Sequence, residues 1–296
     1  MASLADYRNG VPFGDYEIFR PWVDRMCEGE QSVLTTEKPY MFAMTSGTTG
    51  QPKLLPVTPS AKRAVARLTS MWISGCLQDH PNILDGRALV VVSPATEGYT
   101  PGGTPFGAAS GYIYQHASWA IRRTYALPYP VFEIPDYDAK YYAIMRLAIA
   151  QDISFVITPN PSTVIRLLNI ADQRQESLIR DVRDGTIAQD IAIEPGLRTQ
   201  LDAQLRPDPR RAEDLESIVA DAGFLDPARY WPHLGLLGCW KGGSVGVTLE
   251  RLRDWLRPDM PYRDIGFLAS EAQMTVPISD DDSGGVLAVD TNFYEF

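Results

Sequence analysis

Cysteine and histidine are scarce in this sequence. Among 296 residues there are 3 cysteines and 3 histidines. Cys27, Cys76 and Cys239 are widely separated and odd in number, which favours structural thiols in a reducing compartment over a disulfide framework. The histidines show none of the spacings, such as H-x-x-x-H, that hold zinc. The expected fold therefore relies neither on disulfides nor on a structural zinc ion.

Long apolar runs are also missing. No segment approaches the roughly 20 consecutive apolar residues that a membrane-spanning helix needs. The N-terminal residues MASLADYRNG carry neither the basic region nor the apolar stretch of a secretory signal peptide. We therefore expect a cytoplasmic protein with no membrane partner.

Positive charge is in short supply. The chain has 27 lysines and arginines against 37 aspartates and glutamates, so its net charge is −10 and its isoelectric point is near 4.8. Nucleic acids and anionic membranes are bound through basic faces, so we expect no nucleic-acid partner, although a local basic spot can still hold a small anion. An apolar content of 45% argues against disorder, and the length of 296 residues fits one large α/β domain or two average domains.

Helical and strand patterns alternate along the chain. The apolar runs 87–92 and 153–158 are typical of strands buried on both faces of a parallel sheet. Thr58 followed by Pro59 gives one helix an N-cap and a proline at its first position. This order predicts an α/β fold with mostly parallel sheets flanked by helices. The other predicted strands are 39–44, 54–57, 235–240 and 262–267, and the predicted helices are 15–28, 59–77, 137–151, 161–180 and 247–256.

Two further stretches have weaker patterns. Residues 181–229 are rich in arginine and aspartate and carry several short helical patterns, which predicts a solvated helical insertion at about 172–229. Near the end of the sequence, 286–289 and 293–296 alternate and predict two strands paired across a turn at 290–292. No linker divides the chain cleanly into two domains.

One loop combines glycines, hydroxyl side chains and a lysine directly after a predicted strand. Two glycines allow backbone N–H groups to approach a ligand closely, hydroxyls add donors, and the lysine supplies a mobile positive charge. Such a nest of donors suits a polyphosphate, although the spacing is not that of the G-x-x-x-x-G-K-[ST] loop. An ordinary Ser/Thr/Gly turn needs neither the lysine nor the preceding strand. The loop consists of Thr45, Ser46, Gly47, Thr48, Thr49, Gly50, Gln51, Pro52 and Lys53.

The stretch TSGTTGQPK resembles the phosphate-binding signature of the adenylate-forming superfamily, which includes acyl-CoA synthetases and the adenylation domains of peptide synthetases. Its continuation TSGTTGQPKLLPVT is similar to the acyl-acid amido synthetases of the auxin-responsive-promoter family. So are YRDIGFLASE and GVLAVDTNFYEF further on. The resemblance covers nearly the whole chain and is weakest at about 172–229. It implies the large N-terminal domain of the adenylate-forming fold, with Thr45 to Gly50 and Lys53 binding the phosphates of ATP.

A second stretch, FLASE, resembles the superfamily motif of an aromatic, a small residue, any residue, Ser or Thr, then Glu. The resemblance implies that Phe267 stacks on adenine, that Ser270 belongs to the nucleotide site, and that Glu271 binds Mg²⁺. It also implies that Gly242 and Gly243 line the nucleotide edge. The alternatives are a core aromatic followed by a helix cap, and a tight strand-to-helix turn that needs glycine.

The implied reaction is ATP-dependent. A carboxylic acid is activated as an acyl-adenylate and then joined to an amine or amino acid, with Lys53 and Glu271 opposing the charge that builds on pyrophosphate. An acyl-CoA ligase shares the first half-reaction and is the near alternative. A truncated, non-catalytic module that binds ATP or acyl-adenylate is the third reading.

Aromatic residues between 99 and 119 suit an apolar acid substrate and suit an ordinary core equally well, and the loop 102–107 is a second candidate wall of the acid site. Superfamily members carry a small C-terminal lid domain that brings a catalytic lysine over the reacting phosphate. Here the last lysine is Lys241, upstream of the Phe267–Glu271 motif. We therefore expect residues 1–296 to form an incomplete large domain without that lid, one that binds nucleotide but adenylates little by itself.

Overall fold

The computed structural model describes residues 3–45, 52–281 and 283–295, and it gives 12 α-helices and 10 strands within them. The helices are α1 (Leu4–Gly10), α2 (Tyr16–Cys27), α3 (Pro59–Asp79), α4 (Ala109–Gln115), α5 (Trp119–Arg122), α6 (Tyr137–Ile149), α7 (Pro161–Gln173), α8 (Gln175–Asp184), α9 (Pro195–Asp202), α10 (Pro209–Ala222), α11 (Pro227–Tyr230) and α12 (Gly246–Arg253). The strands are β1 (Met41–Thr45), β2 (Lys53–Val57), β3 (Arg87–Val90), β4 (Gly98–Tyr99), β5 (Pro105–Gly107), β6 (Ile153–Ile157), β7 (Leu236–Gly238), β8 (Tyr262–Arg263), β9 (Thr275–Val276) and β10 (Val286–Leu287).

The central sheet is fully parallel, with strand order β3-β6-β7-β8. Its side chains divide between two hydrophobic clusters, as the strand period of two requires. Phe155 and Leu236 face α3, whereas Val156 and Leu237 belong to the main core with α6, α7 and α12. The predicted α/β fold with a parallel sheet covered by helices on both faces is confirmed.

Trp72 of α3 fixes that helix against the central sheet. Its ring stacks on Phe155 with centroids 5.9 Å apart, and its indole N–H donates to the backbone oxygen of Asp264 at 2.7 Å. Gly238 of β7 makes this approach possible, because a Cβ there would lie 2.6 Å from the tip of the Trp72 ring. The helix itself begins as predicted: the Thr58 side chain accepts from the N–H of Ala61.

The other two sheets are mainly antiparallel. In the order β2-β1-β5-β4, only β1 and β5 run parallel, and β1 and β2 form an antiparallel pair. Val23, Met26 and Phe42 form a separate core between α2 and this sheet. The predicted parallel arrangement therefore holds for the central sheet, whereas β1 and β2 are antiparallel neighbours.

The predicted helix 161–180 is interrupted. It divides at Arg174 into α7 and α8. Helices α8 to α11 then occupy 175–230, and Leu178, Leu201 and Leu215 lie fully buried in the main core. The apolar positions of this charged stretch thus pack inward, and its description as solvated applies only to the outer faces.

The strand predicted at 293–296 is wrong for the residues that the structure describes. β10 pairs with β9, and 293–295 form no strand. Phe293 instead packs edge-on against Tyr7, with ring centroids 5.3 Å apart. Alternation in sequence does not by itself supply a pairing partner, and the available partner was the strand at 275–276. Across the described ranges, no helix has the length and apolarity to cross a membrane.

Gly238→Ala tests the contact between α3 and the central sheet. The new methyl group would meet a Trp72 ring that is 5% exposed and held by a hydrogen bond, so the ring cannot move away freely. Overpacking of this kind costs about 1–3 kcal/mol, and we expect a lower thermal unfolding midpoint. Gly196→Ala is the control, because nothing lies within 4 Å of a Cβ at Gly196. Equal midpoints for the two variants would contradict the contact.

Candidate functional site

The carboxyl ends of the parallel strands gather the polar groups of the candidate site. In open parallel sheets this edge is where ligands bind, because helix and loop starts converge there. The chain leaves β7 through Trp240 and Lys241, and leaves β8 through Asp264 and Gly266. The Trp240 indole donates to the Gly266 oxygen at 3.1 Å, which joins the two loops directly.

Asp264 organises this edge. It is 3% exposed, and its carboxylate accepts from the backbone N–H of Lys241 at 2.7 Å and of Gly266 at 2.6 Å. Its backbone oxygen accepts from Trp72. A buried carboxylate with these donors holds the two strand ends in fixed relation. Sequence reasoning missed Asp264, which directly follows Arg263 and lies two residues before Gly266.

Gly242 and Gly243 form the turn between β7 and the following helical residues. Gly243 has φ +64°, a left-handed conformation that favours glycine. A Cβ on Gly242 would lie 3.4 Å from the Ser283 side chain. The turn therefore has a conformational need for glycine at Gly243, and nucleotide contact by both glycines stays a prediction.

The 267–275 segment is a tight turn with an exposed aromatic at its start. The Phe267 N–H donates to the Thr275 hydroxyl at 2.8 Å, and its oxygen accepts from Met274 at 2.8 Å. The Phe267 residue is 67% exposed, and Ser270 and Glu271 are exposed as well. The alternative of a core aromatic followed by a helix cap is wrong, because Phe267 is largely exposed and no helix follows it among the described residues up to 295. Gly266, with φ +91°, allows the chain to turn here.

The described ends of the predicted phosphate loop, Thr45 and Lys53, lie in the sheet of order β2-β1-β5-β4. Thr45 ends β1 and is paired directly opposite Lys53, the first residue of β2. The Lys53 ammonium lies 5.5 Å from the centroid of the Tyr16 ring, and the Tyr16 hydroxyl donates to the Leu54 oxygen at 3.1 Å. Burial raises the pKa of Tyr16, so this hydroxyl stays protonated. The predicted residues Ser46, Gly47, Thr48, Thr49 and Gly50 lie outside the described residues.

In the structure, the described residues of the predicted site form two separate groups. Thr45 and Lys53 belong to the β1–β2 pair. Gly242, Gly243 and Phe267–Glu271 lie at the carboxyl edge of the central sheet. Over 3–45, 52–281 and 283–295, no hydrogen bond or ion pair joins Lys53 to Glu271. Two cavities, of about 510 Å³ beside α6 and α7 and about 680 Å³ beside α3, are lined by none of the predicted site residues.

A cluster of charged side chains around the buried Arg263 lies at the same edge. Arg263 of β8 is fully buried and donates to Asp280 and, at 2.6 Å, to Asp79. Asp280 also meets the Nε2 of His80 at 2.6 Å. Burial alone would raise the pKa of Asp280, but the hydrogen bonds from Arg263 and His80 outweigh it and lower that pKa below its ordinary value.

Two chemistries can be assessed from the side chains at this edge. The Cys239 thiol is fully buried and its pKa is raised to about 12 by burial, so it stays protonated and does not act as a nucleophile. Within the described part of the chain, no group of three or more His, Cys, Asp or Glu side chains is placed to hold a metal. A single exposed carboxylate such as Glu271 fits Mg²⁺ held mainly by phosphates and water, because that ion keeps much of its hydration.

Comparisons with known proteins define first a class and then a family. A solved "GH3.15 acyl acid amido synthetase" superposes with a TM-score of 0.78 at 17% identity, covering 95% of this chain and 49% of the other. That likeness establishes the fold. The GH3 family N-terminal domain matches residues 1–260, and the chain belongs to the GH3 family.

The sequences of curated proteins give the same class of relative. A jasmonoyl--L-amino acid synthetase of Nicotiana attenuata is 23% identical over 92% of this chain and 48% of its own length. An indole-3-acetic acid-amido synthetase of Arabidopsis thaliana is 25% identical over 91% of this chain and 45% of its own length. The chain spans about half the length of the curated relatives it matches.

The lowered pKa of Asp280 predicts an acid-sensitive brace. A carboxyl group whose folded-state pKa lies below its unfolded value of about 3.9 contributes stability that is present above pH 4 and is lost as the pH falls through the folded value. The Arg263 guanidinium and the His80 ring face this carboxylate, and the Lys241 ammonium donates to the backbone oxygen of Asp280. Asp280→Asn should therefore lower the thermal unfolding midpoint at pH 6. The difference in midpoint between this variant and the parent should be smaller at pH 3 than at pH 6.

Asp281→Asn is the control for this titration, because Asp281 is the exposed neighbour in the same segment. It should follow the parent at both pH values. A constant difference between Asp280→Asn and the parent from pH 6 to pH 3 would contradict a titrating carboxylate at Asp280.

Proposed function

We propose that the protein is an ATP-dependent acyl-acid amido synthetase. The observation that carries this proposal is its membership of the GH3 family together with the β1–β2 pair, which sets Thr45 opposite Lys53 at the two ends of the TSGTTGQPK segment. The relatives are named as a jasmonoyl--L-amino acid synthetase and an indole-3-acetic acid-amido synthetase. The reaction assigned here is the same in kind.

ATP is proposed to bind between the β1–β2 pair and the carboxyl edge of the central sheet. The exposed Phe267 ring offers an unobstructed π-face for adenine, and such stacking needs an exposed ring. Gly242 and Gly243 leave room for close approach at the nucleotide edge, and Ser270 adds a hydroxyl donor. Lys53 supplies the positive charge for the phosphates, with Thr45 to Gly50 as the donor loop.

Mg²⁺ is the proposed metal, with Glu271 as its protein ligand. The ion supplies charge neutralisation at the phosphates when it is bound. Glu271 is exposed on the tight turn, and no ion pair engages its carboxylate in the described part of the chain. The side chain is therefore available to hold an ion that is otherwise coordinated by phosphate oxygens and water.

The reaction requires the protein to position the reactants and to stabilise developing negative charge. The carboxylate oxygen of the acid attacks the α-phosphorus of ATP, the bond to pyrophosphate breaks, and an acyl-adenylate forms. The amine of an amino acid then attacks the acyl carbon, loses a proton, and AMP leaves. Lys53 stabilises the negative charge that develops on pyrophosphate, in the manner common to phosphoryl transfer.

We assign the acid substrate to carboxylic acids with an apolar or aromatic body. Indole-3-acetic acid joins a carboxylate to an aromatic ring, and a second solved neighbour, at TM-score 0.76 and 18% identity, is titled as a complex with 2,4-DB. Tyr99 and Trp119 are exposed aromatics that suit such a body, whereas Tyr114 is buried in the core. We place the reaction in the cytoplasm, because the three cysteines are free and buried.

Removing either charge should weaken nucleotide binding. Lys53→Ala should lower ATP affinity by roughly 10–100-fold, the value of a lost hydrogen bond to a charged group, and Glu271→Gln should lower it only when Mg²⁺ is present. Isothermal titration calorimetry measures both. Lys38→Ala and Glu250→Gln remove exposed charges elsewhere and should leave the affinity unchanged. Parent-like affinity in both site variants would remove the assignment of the nucleotide site.

The reaction class is tested by following both half-reactions. With ATP and Mg²⁺, pyrophosphate release should be faster with indole-3-acetic acid or a long alkyl acid than with succinate, which is small and doubly charged. Mass spectrometry should find an amide when an amino acid is added. Formation of a thioester with CoA instead would make the protein an acyl-CoA ligase, and ATP binding without pyrophosphate release would leave a non-catalytic binding module.

A further inference from the structure

Asp280 ties the segment 277–281 to residues at the carboxyl edge of the central sheet. The Asp280 carboxylate accepts a hydrogen bond from the Nε of Arg263 and meets His80 at 2.6 Å. Its backbone oxygen accepts from the Lys241 ammonium. Asp280 therefore connects three parts of the chain: β8, the end of α3 and the turn after β7.

Arg263 is a rigid anchor for this segment. Its side chain is fully buried, and its other arm donates to Asp79 at 2.6 Å. Its Nη1 atom is buried without a hydrogen-bond partner among the described residues, so the guanidinium depends on its two carboxylates. A buried charge held in this way cannot shift without leaving another group unpaired, which fixes the place of Asp280 relative to the sheet.

The turn at 241–243 is held from both sides. On the sheet side, the Lys241 N–H donates to Asp264 at 2.7 Å. On the outer side, the Lys241 ammonium reaches the Asp280 oxygen, and Gly242 lies where a Cβ would be 3.4 Å from Ser283. The position of the turn is thus set by Asp264 on the sheet side and by Asp280 on the outer side.

We propose that Asp280 is a positioning residue for the Lys241–Gly243 turn. It acts through Lys241: the buried Arg263 fixes the Asp280 carboxylate, and the Asp280 carbonyl then fixes the lysine head. Lys241 is thereby committed to holding the turn and is not a phosphate ligand. The consequence for ATP rests on the proposed function, because it requires that Gly242 and Gly243 line the nucleotide.

Hydrogen–deuterium exchange of the whole chain measures the position of the turn without any ligand. In Asp280→Asn, amides of 240–246 should exchange about tenfold faster than in the parent, the factor expected when one stabilising contact of the closed state is lost. Asp281→Asn, a change in the exposed neighbouring acid, should exchange like the parent. Faster exchange confined to 277–283, with 240–246 unchanged, would overturn the proposal.

Lys241→Met gives an independent variant, because it cuts the tie while leaving the buried Arg263 with both carboxylates. It should speed exchange at 240–246 and leave the thermal midpoint close to that of the parent. It decides the question if Asp280→Asn does not fold, and parent-like exchange at 240–246 in Lys241→Met would overturn the proposal.

Calorimetry with ATP and Mg²⁺ separates this proposal from the proposed function. If the parent binds ATP, Asp280→Asn and Lys241→Met should each bind it about tenfold more weakly, since displaced binding groups lose much of their effect. Unchanged ATP affinity in both, with a loosened turn, would overturn the link between the turn and the nucleotide. If the parent binds no ATP, the proposed function fails, and the exchange rates still decide whether Asp280 positions the turn.

Discussion

The contact of Trp72 with the central sheet is the constraint on which the candidate site depends. Its ring stacks on Phe155, its approach requires the missing side chain of Gly238, and its indole N–H bonds the backbone of Asp264. One side chain of a long surface helix thus joins the apolar packing of α3 to the first polar residue beyond β8. The position of Asp264, and of the loops bound to it, follows from core packing.

The polar groups at the carboxyl edge hold the surrounding loops in place. Asp264 holds the starts of both loops, and Arg263 on the adjacent position faces the opposite way, into the cluster with Asp79 and Asp280. Successive residues of a strand point to opposite faces, so two neighbouring charges serve two different surfaces. Exposed groups such as Phe267 and Glu271 are therefore carried on a rigid frame while they remain accessible themselves.

The sequence predicted the features that rest on local pattern. Continuous apolar runs located β3 and β6, and the Thr58–Pro59 pair located the start of α3, because burial and capping leave local signatures. The resemblance in the TSGTTGQPK and FLASE stretches led to the family that the comparisons confirm. The exposed ring of Phe267 could not be read from its letters, since an aromatic beside a strand is as often a core residue.

Features that depend on distant pairings were not accessible to sequence reasoning. Asp79, Arg263 and Asp280 are separated by up to 201 positions, and only the fold brings them together. The strand predicted at 293–296 was wrong for the same reason, because strand pairing depends on which sheet edge is free.

The central claim is that the β1–β2 pair and the carboxyl edge of the central sheet bind one nucleotide. A crystal structure of the chain with Mg²⁺ and a non-hydrolysable ATP analogue tests it most directly. Phosphates beside Lys53 with adenine on the Phe267 ring are the predicted result, and a nucleotide bound in the cavity beside α6 and α7 would contradict it.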